Sequence, residues 1–290
     1  MRVTIIGFGL IGGSLARALA GTSWNVAAWS PGGSGPGRAL AEGVVAAAPR
    51  RLEDALGGAE LVVLAAPPLA CLDLVANLGG PLGRSLGAGT TVTDVASTKA
   101  RLVAAADEAR LRFVGGHPMA GLETSGYAAA RPDLFRGRPW VVVPGSRAEA
   151  TDIERVETLA IAAGAIPVRL DAAAHDAAAA AISHLPLILA AALVEAVSGA
   201  SDWPTARALA AGGWRDMTRL ARGDGAMGAG ILATNGSAVV ERLRALRAVL
   251  DGWLEDLAAV DAAESGGPEG RAVERLQGRL EAARARLEST

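Results

Sequence analysis

Short runs of Val, Ile, Leu and Ala alternate with segments of helical periodicity over the first half of the chain. Runs of four or five apolar residues that end in Gly, Pro or Ser are typical of strands buried on both faces. The pattern predicts strands at residues 3–6, 25–29, 61–65, 91–95, 112–114, 140–143 and 166–170. Helices are predicted at 11–20 and 97–109. Because strands and helices alternate, the expected fold class is α/β, a doubly wound parallel sheet with helices on both faces.

The pattern changes after Asp171, where long segments rich in Ala and Leu contain no run typical of a strand. Helices are predicted at 172–181, 185–197, 205–211, 237–260 and 269–287. The helix at 237–260 has apolar residues at spacings of three and four along one stripe, which is typical of a helix that faces a core or a second subunit. The sequence therefore predicts two domains, a sheet domain at 1–170 and an all-α domain at 171–290.

Composition narrows the class of partner. The 290 residues include 28 basic and 30 acidic side chains, so the chain has neither a basic field for nucleic acid nor a polybasic patch for a membrane surface. We expect a small-molecule ligand.

Cys71 is the single cysteine, which fits a reducing cytoplasm. Glycines interrupt the apolar N-terminus, and no other segment has the ~18 uninterrupted apolar residues of a membrane span, so a cytoplasmic protein is predicted.

A glycine-rich sequence follows the first predicted strand and opens the first helix. Its pattern, Gly7-Phe8-Gly9-Leu10-Ile11-Gly12, is Gly-x-Gly-x-x-Gly in the context that gives the pattern meaning. The first glycine permits a tight turn, the second lets the backbone approach a pyrophosphate, and the third permits close helix packing. A Rossmann-type dinucleotide-binding domain is therefore predicted. The residues expected to contact the cofactor here are Gly7, Gly9, Leu10, Ile11 and Gly12, with Ala66 and Pro67 after the third strand.

The end of the second strand bears on the choice between NAD and NADP. An acidic residue at this point would bind the ribose hydroxyls and disfavour a 2′-phosphate, but the chain has Trp29-Ser30-Pro31 there. Ser30 and the nearby Arg38 could accommodate a phosphate, which favours NADP over NAD. In the alternative interpretation, Arg38 only faces solvent.

Polar residues follow the fourth predicted strand, at the sheet edge where doubly wound folds bind ligands. Ser97 is a candidate ligand contact, or else a simple helix N-cap. Lys99 is the one lysine among the 28 basic residues. A cation in the first turn of a helix opposes the helix dipole, so local stability does not explain Lys99, and a ligand contact is favoured.

His117 is one of three histidines and lies in Gly115-Gly116-His117-Pro118, a predicted glycine-bracketed turn downstream of the nucleotide-binding pattern. An imidazole titrates near neutral pH and can accept a proton during a reaction. His117 is therefore the best candidate for a catalytic base, with a buried structural histidine as the alternative.

Several of these sequences together resemble the prephenate and arogenate dehydrogenase family of tyrosine biosynthesis. The matching segments, in order, are 7–16, 94–99, 116–126, His175-Asp176, Ser183-His184-Leu185-Pro186, 213–219 and Asn235. They span nearly the whole chain, and their order is far more specific than any one of them.

The resemblance implies oxidative decarboxylation of a cyclohexadienyl substrate, prephenate or arogenate, with hydride transfer to NAD(P). His117 would accept the proton of the ring hydroxyl. Ser97 would orient that hydroxyl and His117 beside the nicotinamide, and so touch the cofactor as well. Arg219 would anchor a substrate carboxylate, a role that suits a guanidinium with paired donors. The site would lie between the two domains of a homodimer.

Other substrate contacts are less strongly implied. His184 and Lys99 are candidates, with a structural role as the alternative for His184. Glu123 would favour arogenate by charge, because arogenate has an ammonium where prephenate has a keto group. Many relatives have a histidine where this chain has Leu187, and some have a polar residue at Leu122.

His175 and Asp176 resemble a pair at the domain junction more than a catalytic dyad. With no regulatory module after Thr290 and no further segment before Met1, the sequence predicts a monofunctional enzyme. Two other functions stay open: a β-hydroxyacid-type dehydrogenase that uses Lys99 as acid or base, and a nucleotide-sensing protein without catalysis.

Overall fold

The computed structural model describes residues 1–122, 124–264 and 269–289. Its sheet has seven strands in the order β2-β1-β3-β4-β5-β6-β7. Their bounds are β1 Arg2–Ile6, β2 Asn25–Trp29, β3 Leu61–Leu64, β4 Thr91–Asp94, β5 Phe113–Pro118, β6 Pro139–Pro144 and β7 Ile166–Arg169. The predicted α/β doubly wound fold, followed by helices, is confirmed.

The sheet is not parallel throughout, because β5 and β6 are antiparallel while every other neighbouring pair is parallel. A parallel neighbour needs a crossover that carries the chain back across the sheet. In the described part of residues 119–138 the regular structure is a single short 3₁₀ turn, Tyr127–Ala129. The chain therefore re-enters the sheet at the edge where β5 ended and runs back along it.

Thirteen helices are present in the described residues. They are α1 Leu10–Leu19, α2 Ser34–Ala41, α3 Leu52–Leu56, α4 Pro68–Gly79, α5 Ala100–Glu108, α6 Ala150–Ala162, α7 Ala172–Ala179, α8 Leu185–Ser198, α9 Trp203–Ala208, α10 Gly212–Met217, α11 Gly225–Thr234, α12 Gly236–Glu264 and α13 Glu269–Glu288. The chain forms two compact units, Met1–Val239 and Val240–Thr290. The domain boundary predicted at residue 170 stays a prediction.

The central strands are buried on both faces, which explains their continuous apolar sequences. On β3, Leu61 and Val63 pack into one hydrophobic cluster, while Val62 and Leu64 pack into the other on the opposite face. Successive strand residues point to opposite sides, so each face of β3 needs its own apolar residues.

Two local predictions near the sheet edge are wrong. His117 is in strand β5, paired with Val141 of β6, and not in a turn. Gly116 permits this, because a Cβ at that position would lie 2.5 Å from the carbonyl oxygen of Asp94 on the neighbouring strand. The helix predicted from residue 97 begins at Ala100, so residues 97–99 form a loop.

A continuous helical segment, Ala172–Ser198, joins α7 to α8 through a π turn, Ala180–His184. By length and hydropathy alone, this segment is long and apolar enough to cross a membrane. Its polar residues His175, Asp176 and His184 are nevertheless buried in contacts with other protein groups. These contacts hold the N-terminal part of the segment against the sheet and the helices around it.

Candidate active site

The glycine-rich turn has the shape that a dinucleotide pyrophosphate requires. Gly7 has a φ of 94°, and a Cβ there would lie 2.3 Å from the carbonyl oxygen of Ala65. A Cβ on Gly12 would lie 2.3 Å from the carbonyl oxygen of Gly7. The fold itself therefore needs these two glycines. Gly9 has no heavy atom within 4 Å of its Cβ position, and helix α1 has no side-chain cap, so its first N–H groups can receive an anion.

The ends of β2 and β3 flank this turn. The Gly7 amide donates to the carbonyl of Trp29 at 2.8 Å, which brings Ser30 beside the turn. Ala66 and Pro67 follow directly after Ala65, the residue against which Gly7 packs. The predicted cofactor contacts at these three strand ends therefore lie together, with Leu10 and Ile11 at the start of α1.

Arg38 has a protein partner at the rim of this region. Its Nε donates to the carboxylate of Glu42 at 2.8 Å, one helical turn away. Arg17 and the Tyr127 hydroxyl donate to the same carboxylate at 2.9 Å and 2.7 Å. Hydrogen bonds from Tyr127 and Arg38 hold the pKa of Glu42 below its usual range. The Arg38 side chain is still 59% exposed.

Lys99 is completely buried, and its ammonium forms an ion pair with Asp94 at the end of β4. The Asp94 carboxylate also accepts from the Ala96 amide at 2.8 Å and the Gly116 amide at 3.1 Å. The ion pair gives the Lys99 ammonium a protein partner, and a contact of Lys99 with substrate stays a prediction. The ion pair also accounts for a lysine at the start of a helix, which local helix stability did not explain.

His117 lies at one end of a buried row of polar groups. Its Nδ1 is 2.8 Å from Nε2 of His175 on α7, and the two rings meet edge to face at 74°. Nδ1 of His175 is 2.7 Å from Oδ1 of Asp176. His117 is 8% exposed and His175 is 2% exposed. The row therefore runs from the sheet into the first helix that follows it.

The Asp176 carboxylate also caps helix α5 from a distant part of the sequence. Oδ1 accepts from the Lys99 amide at 2.7 Å, and Oδ2 accepts from the Ala100 amide at 2.9 Å. Burial acts to raise the pKa of Asp176, but hydrogen bonds from His175, Ala100 and Lys99 outweigh it, so the pKa lies below its usual value. Asp176 is accordingly ionised at neutral pH.

The environment of His117 favours the neutral imidazole. Burial lowers the pKa of His117 well below its usual value, and the neighbouring Lys99 ammonium lowers it further. A neutral ring has one nitrogen able to accept a proton, as a general base requires.

His184 ends the π turn and is 1% exposed. Its Nδ1 is 3.1 Å from Nδ2 of Asn235, which also donates to the main-chain carbonyl of Asp176 at 2.8 Å. Burial lowers the pKa of His184, while the Asp176 carboxylate and the main chain of Ser97 oppose this shift. Within the described residues, Nε2 of His184 has no hydrogen-bond partner.

Two family models match this chain. The model of the prephenate dehydrogenase nucleotide-binding domain matches residues 30–169, and the model of the prephenate dehydrogenase dimerization domain matches residues 171–263. The chain belongs to the prephenate dehydrogenase family. The resemblance that the sequence motifs indicated is confirmed.

Individual relatives of this prephenate dehydrogenase family member agree with the assignment. The prephenate dehydrogenase of Bacillus subtilis is 36% identical over 170 residues, which cover 57% of this chain and 44% of that protein. The chain thus spans less than half the length of this curated relative. Synechocystis arogenate dehydrogenase has a similar structure, with 28% identity, a TM-score of 0.77, and coverage of 98% of this chain and 100% of that one.

A second solved structure is that of prephenate dehydrogenase from A. aeolicus in complex with hydroxyphenyl propionate and NAD+. It shares 25% identity with this chain, with a TM-score of 0.83 and coverage of 100% of this chain and 98% of that one.

Of the remaining predicted site positions of this prephenate dehydrogenase family member, all but Glu123 belong to the described residues. Ser97 is half-buried in the loop before α5. Arg219 is exposed at the start of a 3₁₀ turn, Arg219–Arg222, that packs against α8. Leu122 is 42% exposed, and Glu123 lies outside the described residues. Leu187 lines an apolar cavity of about 380 Å³ between α8 and α11.

Sequence reasoning missed the contacts of His175, Asp176 and Asn235 with the candidate site. It matched these residues to family motifs but assigned the first two to a domain junction. The available signal was the sequence His175-Asp176 itself, since a carboxylate beside an imidazole can orient the ring. What the sequence lacked was the contact with His117, which is 58 residues away along the chain.

Proposed function

We propose that this protein catalyses the oxidative decarboxylation of prephenate or arogenate with hydride transfer to NAD(P). The observation that carries the proposal is a neutral, buried His117 at the end of β5. That end lies at the same edge of the sheet as the glycine-rich turn after β1, because β1, β3, β4 and β5 run parallel. Doubly wound folds bind cofactor and substrate at this edge.

The chemistry asks little of the protein beyond positioning and proton transfer. NAD(P), when bound, would supply the acceptor for the hydride that leaves the carbinol carbon of the substrate ring. Nε2 of His117, the ring nitrogen not directed at His175, accepts the hydroxyl proton as the carbonyl forms. The ring carboxylate then leaves as carbon dioxide, the ring becomes aromatic, and the phenol oxygen takes the proton back from His117.

Three further residues hold the substrate in this proposal. Ser97 orients the hydroxyl and His117 beside the nicotinamide. Arg219 binds a substrate carboxylate, for which its exposed position is suitable. His184 donates from the buried Nε2 that has no partner in the described part of the protein.

A steady-state assay of prephenate-dependent nicotinamide reduction and carbon dioxide release tests the activity. His117→Asn is expected to lower kcat by about 10² to 10⁴, the usual contribution of a general base, with KM near normal. Unchanged kcat would remove His117 from the proposed role. Nucleotide binding without turnover would instead favour the nucleotide-sensing alternative, and turnover of 3-hydroxy acids would favour the β-hydroxyacid alternative. The burial of Lys99 against Asp94 disfavours that last function.

We propose that the protein prefers NADP to NAD as its cofactor. This preference rests on the absence of a carboxylate at Trp29-Ser30-Pro31 and on the exposed Arg38, which follows Ser30 by eight residues in the sequence. Arg38→Gln is expected to reduce the ratio of kcat/KM for NADP to that for NAD. Arg284→Gln is the matched control, because Arg284 forms the same kind of exposed pair with Glu288 one helical turn away. An unchanged ratio in Arg38→Gln would refute the role of Arg38.

We propose that Glu123 sets the preference between the two substrates. Its carboxylate would favour the ammonium of arogenate over the keto group of prephenate. Glu123→Gln should shift the ratio of the two kcat/KM values towards prephenate. If the ratio does not change, Glu123 does not select the substrate.

The proposed assembly is a cytoplasmic homodimer in which a second copy covers the apolar face of helix α8. The segment Ala172–Ser198 is strongly apolar, and most of its apolar stretch is not buried within one chain. Light scattering should give twice the chain mass of 29.2 kDa without detergent. A monomeric mass, or a need for detergent, would refute this assembly.

A further inference from the structure

We propose that Asp176 and His175 act as positioning residues that hold His117 in one tautomer, with hydrogen on Nδ1 and a lone pair on Nε2. This inference rests on the proposed function, in which Nε2 of His117 is the base. The observation behind it is the continuous row from Asp176 Oδ1 to His175, at 2.7 Å, and from His175 Nε2 to His117 Nδ1, at 2.8 Å.

The direction of each hydrogen bond follows from the one group that can only accept. The Asp176 carboxylate already accepts from the amides of Lys99 and Ala100, so it is ionised and His175 Nδ1 must donate to it. A neutral His175 then has a lone pair on Nε2. Because His117 Nδ1 faces that lone pair at hydrogen-bond distance, Nδ1 must carry the hydrogen. Nε2 of His117 is left as the proton acceptor.

The row also answers a difficulty raised by the low pKa of His117. When Nε2 accepts a proton, a cation forms in a buried site beside the Lys99 ammonium, and both the burial and that charge disfavour it. The Asp94 carboxylate is already paired with Lys99. Asp176 is the remaining carboxylate in this cluster, and it reaches His117 through the His175 ring. Its charge stabilises the imidazolium during the reaction while the resting histidine stays neutral.

The main chain of Asp176 acts on the third histidine by a separate route. Its carbonyl accepts from Nδ2 of Asn235, which identifies that atom as the amide nitrogen. The same nitrogen faces Nδ1 of His184, so His184 must accept there and carry its hydrogen on Nε2. The tautomers of all three histidines in the chain therefore depend on contacts of Asp176.

The chain's three histidines make the tautomers directly measurable. In ¹⁵N NMR spectra of the imidazoles at neutral pH, we expect His117 and His175 to carry hydrogen on Nδ1 and His184 to carry it on Nε2. His175→Leu should release His117 into a mixture of tautomers or into the form with hydrogen on Nε2. Hydrogen on Nε2 of His117 in the wild-type protein would overturn the proposal.

Activity supplies the second readout. His175→Leu should lower kcat by about 10² with little change in substrate KM, because only the orientation and charge of the base are lost. His175→Gln keeps an amide oxygen able to accept from His117 Nδ1 and should recover most of the kcat. Equal losses in the Leu and Gln variants, or no loss in either, would overturn the proposal.

The test uses variants at His175 and not at Asp176. Asp176 also caps α5, so Asp176→Asn could lower stability for that reason alone. Asp171→Asn is the control, since the Asp171 side chain caps α7 through the Ala174 amide at 2.8 Å, while its hydrogen bond with the His175 amide comes from the main-chain carbonyl, which the substitution keeps. It should leave the tautomers and kcat unchanged; a change in either would trace the effect to helix capping and overturn the proposal. If wild-type protein lacks prephenate-dependent turnover, the proposed function fails, whereas the NMR result still decides the tautomers.

Discussion

Replacing Lys99 by Met separates the two roles that have been considered for this lysine. The side chain is fully buried and its ammonium is paired with Asp94, also fully buried. Lys99→Met keeps the length of the side chain and removes the charge. Among the described residues, the Asp94 carboxylate then keeps the Ala96 and Gly116 amides as its donors. We therefore expect a large loss of stability and no direct loss of a substrate contact.

The size of the loss follows from the burial of the pair. Removing one partner of a buried ion pair costs about 3–5 kcal/mol, because the remaining charge is left uncompensated away from water. For a chain of this size each kcal/mol lowers Tm by roughly 2–4 °C, so the expected decrease in Tm is roughly 6–20 °C. Adding Asp94→Asn should recover part of this loss, since it removes the stranded charge.

Thermal unfolding followed by circular dichroism, together with steady-state kinetics below the transition, measures both effects. Lys99 also helps to lower the pKa of His117, so the acid limb of kcat/KM should move to higher pH in Lys99→Met. Arg284→Met, which breaks an exposed pair, should leave Tm unchanged. An unchanged Tm in Lys99→Met with a large increase in substrate KM would refute this reasoning and restore the ligand contact expected from sequence.

Two further predictions concern the glycine-rich turn and acid stability. Gly12→Ala should lower Tm, because its Cβ would lie 2.3 Å from the Gly7 carbonyl oxygen. Gly9→Ala should leave Tm unchanged and weaken nucleotide binding measured by calorimetry, because the space beside Gly9 is open for the cofactor. A loss of Tm in Gly9→Ala together with weaker binding in Gly12→Ala alone would contradict this assignment. His117 and His184 both have pKa values below the usual 6.5, so the unfolded chain binds more protons than the folded one as the pH falls below 6.5. Each histidine then lowers the free energy of unfolding by about 1.4 kcal/mol per pH unit until the pH reaches its pKa in the folded protein. Urea unfolding measures this free energy, and a value that does not change between about pH 7 and pH 5 would refute the prediction.

Much of the candidate site could be predicted because its signals are local. The turn after β1 is formed by residues close together in the sequence, so the glycines at positions 7 and 12 predict its backbone geometry directly. His117 could be selected because few histidines are present and its neighbours are unusual. Lys99 shows the limit of this approach, since its apparent conflict with the helix dipole disappears once Asp94 is known to face it.

The sequence by itself determined the alternation of strands and helices, the apolar faces of β3, and the nucleotide-binding turn, because each depends on residues within a few positions of one another. Tertiary structure decided the antiparallel direction of β6, the strand position of His117, and the capping of α5 by Asp176 from 77 residues away. It also decided which ring nitrogen of His117 faces a partner, since Nδ1 meets His175 at a separation of 58 residues. Such contacts depend on how packed elements meet, and local propensities contain no information about the partner that a distant segment supplies.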